Sequence, residues 1–124
     1  MQTKSRSRTA TDRGPAGRRA SGRRPPRAVP PTHPGEVLLE EFLKPLGVSQ
    51  SAFAVRMGVS FPRLNEIVRG RRGVTTDTAL RLARTTGMSA ELWLGLQQDW
   101  DLWHARRSPV AAEIERLEPL VRAD

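Results

Sequence analysis

The chain has 124 residues and no cysteine, which excludes a disulfide framework, a thiolate metal site and a cysteine nucleophile. Its formal charge of +8 lies wholly in residues 1–30, where Lys4 and eight arginines face Asp12 alone; residues 31–124 are neutral, with twelve basic and twelve acidic side chains. No apolar run reaches the roughly 18–20 residues that span a bilayer, and the Arg-rich start lacks the apolar stretch of a secretory signal, so the expected location is the cytoplasm.

Residues 1–30 are Arg, Ser, Pro and Gly with almost nothing apolar. Such a segment cannot bury enough surface to offset its ordering entropy, and it is predicted to be disordered. Two roles stay open for it: a basic arm adding phosphate contacts, or an inert extension ahead of the working start. Its Arg-rich, acid-poor makeup also matches an organellar transit peptide, with nothing else in support. Residues 31–108 are expected to form one domain, and 109–124 a short C-terminal helix and tail. Inside the neutral part, arginines dominate between 56 and 84, whereas acids lead from 85 onward. That division predicts two different surfaces.

From Pro34 the pattern is helical. Val37, Leu38, Leu39, Phe42 and Leu43 form a broad apolar face opposite Glu36, Glu40 and Glu41. Pro34 suits a first turn, and Pro45 is expected to end the helix at about Lys44. "SQSAFAVRMG" follows, with Ser49 as N-cap, Phe53, Ala54 and Met57 as the buried stripe, and Gly58 as the stop. "SFPRLNEIVRG" repeats this grammar: Ser60 caps, Leu64, Ile67 and Val68 face inward, and Gly70 stops it. In "TTDTALRLARTTG", Thr75 or Thr76 caps, Ala79, Leu80 and Ala83 are expected inside, and Gly87 ends it. Ser89 opens a long helix with Glu91 in its first turn and Arg106–Arg107 in its last, as the macrodipole favours. Pro109 closes it, and a weaker helix is expected over about Ala111 to Leu117. No useful length alternates with period two, so the class is all-α.

The helices at 50–57 and 60–69 are separated only by Gly58-Val59-Ser60. A three-residue turn opening on glycine holds two helices at a steep angle, the geometry of a helix-turn-helix. Ala54, four residues before Gly58, lets the second helix cross closely, with Leu64 and Ile67 filling the contact. An ordinary αα-hairpin shares the short turn. The arginine excess and the run of Ser/Thr caps favour the DNA-binding form.

The stretch from His33 to Leu102 resembles the HigA family of antitoxins, within the XRE-type, lambda-repressor-like DNA-binding domains. "HPGE", "LNEIVRGRRGVTTDTALRLAR" and "ELWLGLQ" carry the resemblance. It implies a compact five-helix domain, here preceded by the basic tail and followed by the short C-terminal helix. It further implies a homodimer that represses its own operon and neutralises an mRNA-cleaving toxin of the RelE/HigB type. A helix-turn-helix repressor with no toxin partner shares every DNA argument and remains the alternative.

On this reading the helix from Ser60 to Arg69 enters the major groove N-terminal end first. Arg63 suits guanine O6 and N7, Asn65 suits adenine, and Glu66 either accepts from cytosine N4 or orients Arg63. Phe61 and Pro62 depart from the family, which is more polar here. Pro62 has no N–H to offer, and Phe61 either tucks back as a staple or touches a thymine methyl. The candidate base readers are thus Phe61, Arg63, Asn65 and Glu66. Gln50 matches the family position that touches phosphate, and Ser60, Arg69, Arg71 and Arg72 complete the candidate backbone contacts.

Trp93, Trp100 and Trp103 sit on one long helix that Leu92, Leu94, Leu96 and Leu102 make apolar on more than one face. The surplus predicts a dimer contact through Trp93, Leu96, Trp100 and Trp103, and with it a palindromic operator. Covering the core under the C-terminal helix is the competing use of these rings. Only His33 and His104 exist, with no H-E-x-x-H and no phosphate-binding glycine loop, so neither catalysis, a metal nor a cofactor is expected. A protein-interaction module with an RNA-binding tail is a further alternative. No toxin-facing surface stands out; Glu113, Glu115 and Glu118, or Glu40 and Glu41, are equally well explained as solvated faces.

Overall fold

The computed structural model describes residues 29–121, so the expectation for the basic tail falls almost entirely outside the described residues. The described residues are helical and loop only, with no strand. The order is α1 (Pro34–Leu38), a π turn (Leu39–Leu43), α2 (Lys44–Leu46), α3 (Gln50–Met57), α4 (Phe61–Val68), α5 (Thr76–Thr86), α6 (Ala90–Arg106) and α7 (Val110–Glu115). With α1, the π turn and α2 counted as one continuous run, five helices precede α7.

Side-chain caps start the helices where the sequence placed them. Ser49, Ser60, Thr75 and Ser89 each accept the backbone N–H three residues on, from Ala52 (3.1 Å), Arg63 (3.2 Å), Thr78 (3.3 Å) and Leu92 (3.0 Å). Each such bond contributes about 1 kcal/mol. His33 caps α1 in the same way, its Nδ1 accepting from Gly35 N–H at 2.9 Å. This explains half of the His-Pro-Gly-Glu motif. Gly35 explains the rest, because α1 lies directly on α4. A Cβ on Gly35 would fall 1.8 Å from the Ile67 carbonyl oxygen, so only glycine permits the approach.

Pro45 does not end the first helix. The chain continues helically to Leu46 and stops at Gly47, whose φ is 66°. The widened turn before Pro45 resolves the conflict: Lys44 N–H bonds back five residues to Leu39 O, relaxing the ladder where the proline ring would otherwise clash. It also brings Leu38 and Leu43, five residues apart, to the same buried side.

The core is one cluster of Leu38, Leu43, Phe53, Ala54, Met57, Leu64, Ile67, Val74, Ala79, Leu82 and Trp93. On α5 the inward residues are Thr78, Ala79 and Leu82; Leu80, expected inside, is 60% exposed. The helical period forces this, since a face carrying 78, 79 and 82 turns 80 outward. Trp93 is fully buried at the centre, and its indole N–H donates to Thr86 Oγ1 (3.3 Å). That ring is therefore unavailable to a second copy of the chain, which corrects its expected place in a dimer contact. The last helix begins one residue earlier and ends two residues earlier than expected, and buries none of its side chains.

Candidate nucleic-acid interface

The α3–α4 turn is built as the spacing requires. Gly58 adopts a left-handed φ of 72°, and Val59 N–H bonds to Ala54 O at 3.1 Å. Ala54 and Leu64 are buried between the two helices, which leaves the N-terminal half of α4 projecting. Phe61 is 46% exposed and so is not folded back as a staple. Pro62 beside it is exposed too.

Behind them the predicted readers are already engaged. Asn65 Nδ2 donates to Gln50 Oε1 (3.0 Å), tying the start of α3 to the middle of α4. Glu66 forms an ion pair with Arg72 (2.8 Å), not with Arg63. The α4–α5 loop wraps under Glu66, whose carbonyl accepts from Arg71 N–H (2.8 Å) and Arg72 N–H (3.2 Å), and this draws Arg72 onto its carboxylate. Arg63 turns towards α5 instead. Its Nη2 donates to Thr78 Oγ1 (2.7 Å) and Asp77 Oδ2 (3.2 Å).

Asp77 also accepts from Arg81 Nε (2.9 Å), and Arg81 Nη1 reaches on to Met57 O (2.9 Å) at the end of α3. The Arg81 hydrogen bond holds the Asp77 carboxyl below its ordinary range; desolvation opposes it, and the Arg63 hydrogen bond and the charges of both arginines add to the lowering. Residues on three helices thus share one polar network. Neither Asp77, Thr78 nor Arg81 stood out in the sequence, except that Thr78 places a hydroxyl on an otherwise apolar face. Arg69 and Arg71 are exposed, and their side chains bond to no other described residue. Ser60 Oγ is occupied as the cap of α4.

The loop also borders a cleft of about 480 Å³ lined by His33, Arg71, Arg72, Gln97, Trp100 and Asp101. Gln97 is buried and pins the loop, accepting from Val74 N–H (2.7 Å) and donating to Asp101 Oδ1 (2.9 Å). Trp100 meets His33 edge-on at 4.9 Å and packs at a 40° tilt against His104 at 4.2 Å, so part of its ring serves the protomer. Trp103 lies under Arg107, whose guanidinium carbon is 3.2 Å from the ring centroid. Leu96 is half-buried and Leu92 is exposed on the same side of α6 as Trp103, whereas Leu102 is exposed about a quarter-turn away. Among the described residues no cluster of metal-binding side chains occurs, and no helix is long and apolar enough to cross a membrane.

A glycine-hinged helix pair with a projecting, arginine-flanked second helix defines a helix-turn-helix protein, and a helix-turn-helix family model matches residues 39–93. Virulence-associated protein I of Dichelobacter nodosus is 49% identical over 86 residues, covering 69% of this chain and 80% of that protein. Antitoxin HigA-1 of Vibrio cholerae is 39% identical over 77 residues, 61% of this chain and 71% of that protein. Among solved structures, antitoxin GraA in complex with its operator superposes with a TM-score of 0.70 at 39% identity, covering 80% of this chain and all of that one. The chain belongs to the HigA family of helix-turn-helix antitoxins, a family of DNA-binding regulators rather than an enzyme class.

Proposed function

We propose that this protein is a sequence-specific DNA-binding antitoxin that represses its own operon and neutralises an mRNA-cleaving toxin of the RelE/HigB type. One observation carries the DNA half: the N-terminal half of α4 projects beside Arg69 and Arg71, whose side chains bond to no other described residue, on a fold shared with an operator-bound relative. Phe61, Arg63, Asn65 and Glu66 face the bases. Phe61, exposed as it is, meets a thymine methyl. Gln50, Ser60, Arg69, Arg71 and Arg72 hold phosphates, which position the protein without reading sequence. The Gln50–Asn65 bond couples the two sets, so a phosphate contact at Gln50 also orients a reader.

The working unit is residues 31–108, with α7 an appendage and the basic tail a source of further phosphate contacts. The dimer contact uses one stripe of α6, namely Leu96, Trp103 and the open part of Trp100, joined by the exposed Leu92, and sets two α4 helices about 34–36 Å apart on a palindromic site. This role places the protein in the cytoplasm.

The test is a binding titration with the protein's own promoter against a random duplex of equal length, at moderate salt, where purely ionic binding fades. Preference for the promoter supports the reading, and equal binding refutes it. Co-purification with the product of the adjacent reading frame tests the toxin half. Release of that product at low salt, with its ribonuclease activity unchanged by the antitoxin, would overturn it.

A further inference from the structure

The hydrogen bonds of Arg63 carry a consequence for how it reads DNA. A guanidinium can grip guanine O6 and N7 through either of two edges, Nη1–Nη2 or Nε–Nη2. Both edges use Nη2. That nitrogen has two hydrogens, and both are committed here, one to Thr78 Oγ1 at 2.7 Å and one to Asp77 Oδ2 at 3.2 Å. Arg63 as it stands can offer no two-pronged edge to a base. Asp77 loses little when Arg63 leaves, because Arg81 Nε remains on the same oxygen at 2.9 Å, and Asp77 sits in the first turn of α5, where the helix dipole favours a negative charge. Arg81 is in turn held by Met57 O, so it is fixed in place to keep the carboxylate partnered.

We propose that Asp77 is a specificity-determining residue: with Thr78 it parks Arg63 away from DNA, and only a base that replaces both bonds draws the arginine out. Guanine presents two acceptors side by side in the major groove. Adenine and thymine offer one acceptor each, and cytosine a donor. A wrong base must therefore break two internal bonds for at most one in return. The discrimination comes from that penalty on the competitor as much as from the contact to guanine. The inference rests on the operator reading above and assigns it a residue that touches no DNA.

The experiment compares binding of the full chain to its promoter fragment, to the same fragment with single guanines changed to adenine, and to a random duplex. Asp77→Asn removes the ionic tether on an exposed residue, with circular dichroism as the check on folding. It is expected to bind the substituted and random duplexes more tightly while changing promoter affinity less. Promoter preference should fall about five- to tenfold, of the order of one bidentate base contact. A carboxylate near DNA also repels phosphates, so the decisive comparison is made with Arg63→Ala. In that background Asp77→Asn should leave the preference unchanged. Thr78→Val, which cuts the shorter tether and keeps the charge, should lower the preference in the same direction. An unchanged preference in Asp77→Asn, or an equal loss with and without Arg63, would overturn the inference while leaving the operator reading intact. A wild-type protein with no promoter preference would overturn the operator reading, and this inference with it.

Discussion

Gly35→Ala tests the close crossing of α1 over α4. An added Cβ would lie 1.8 Å from Ile67 O, 2.6 Å from Ile67 C and 2.9 Å from Val68 Cα. An ordinary carbon–oxygen contact is about 3.3 Å, so α1 has to back away by roughly 1.5 Å. The obstacles are backbone atoms of a helix, which cannot rotate aside. A gap of about 0.5–1 Å already forfeits a quarter to a half of a dispersion well, and the fully buried Pro34 and Leu38 would open onto such a gap. The expected loss is about 3 kcal/mol, the upper part of the range for overpacked cores. For a domain of this size that lowers the melting temperature by about 12–24 °C. Gly47→Ala is the control, for it too sits at a helix end, with a φ of 66° but nothing within 4 Å. It should lose only the left-handed penalty of about 1–2 kcal/mol. Thermal denaturation followed by circular dichroism measures both. If Gly35→Ala melts no lower than Gly47→Ala, the account of the crossing is wrong.

His33 supplies a pH dependence. Burial pushes its pKa below the ordinary value of 6.5; Asp101 partly opposes this and His104 adds to it. The folded state thus favours neutral His33, and that stability is complete above about pH 6.5 and is lost as the pH falls. Melting temperature should drop between pH 7.5 and 5.5. His33→Asn, which keeps a cap acceptor and cannot titrate, should show a flatter profile; equal slopes would refute the assignment. Trp93→Ala should cost about 3–5 kcal/mol and lower the melting temperature by about 12–40 °C, whereas Trp103→Ala should keep the fold and halve the mass seen in light scattering. Arg71→Ala should weaken binding to every sequence and reduce the salt slope by about 1, with promoter preference retained. Loss of preference in Arg71→Ala would mean that this arginine reads bases.

The caps, the glycine stops and the helix-turn-helix were legible because each rests on a few neighbouring residues. Ser60 needs only the N–H groups of its own first turn, and Gly58 only its own φ. The outward and inward sides of α6 were not legible. Trp93 and Trp100 are identical in composition and close in sequence, and which one enters the core depends on where α5 and His33 stand. Pro45 misled for a related reason: the rule that proline ends a helix assumes α geometry, and the wide turn before it removes that assumption. For the candidate site, the residue types were readable and their pairing was not. Glu66 has arginines three residues away on either side, at 63 and 69, yet the fold of the α4–α5 loop delivers Arg72, six residues on. Asp77 was invisible as part of the site because it lies 14 residues from Arg63.

The widened turn at Leu39–Leu43 amounts to one surplus residue looped into a helix whose two ends are each keyed elsewhere. The leading end is locked in phase by Gly35 against α4, and the trailing end by Leu43, which is buried in the core. With the same residues in ordinary α geometry, the trailing end would turn about a quarter of a circle past its keyway, one residue's worth of rotation. Deleting a single residue from the solvent-facing pair Glu40-Glu41 would remove the surplus and straighten the helix with both ends still engaged, but it would bring the Pro45 ring back against the ladder. Rotation, not length or side-chain identity, is then what this segment has to keep: many exchanges at its outer positions should be silent, and the loss of one residue should be felt at Pro45 rather than at either keyed end.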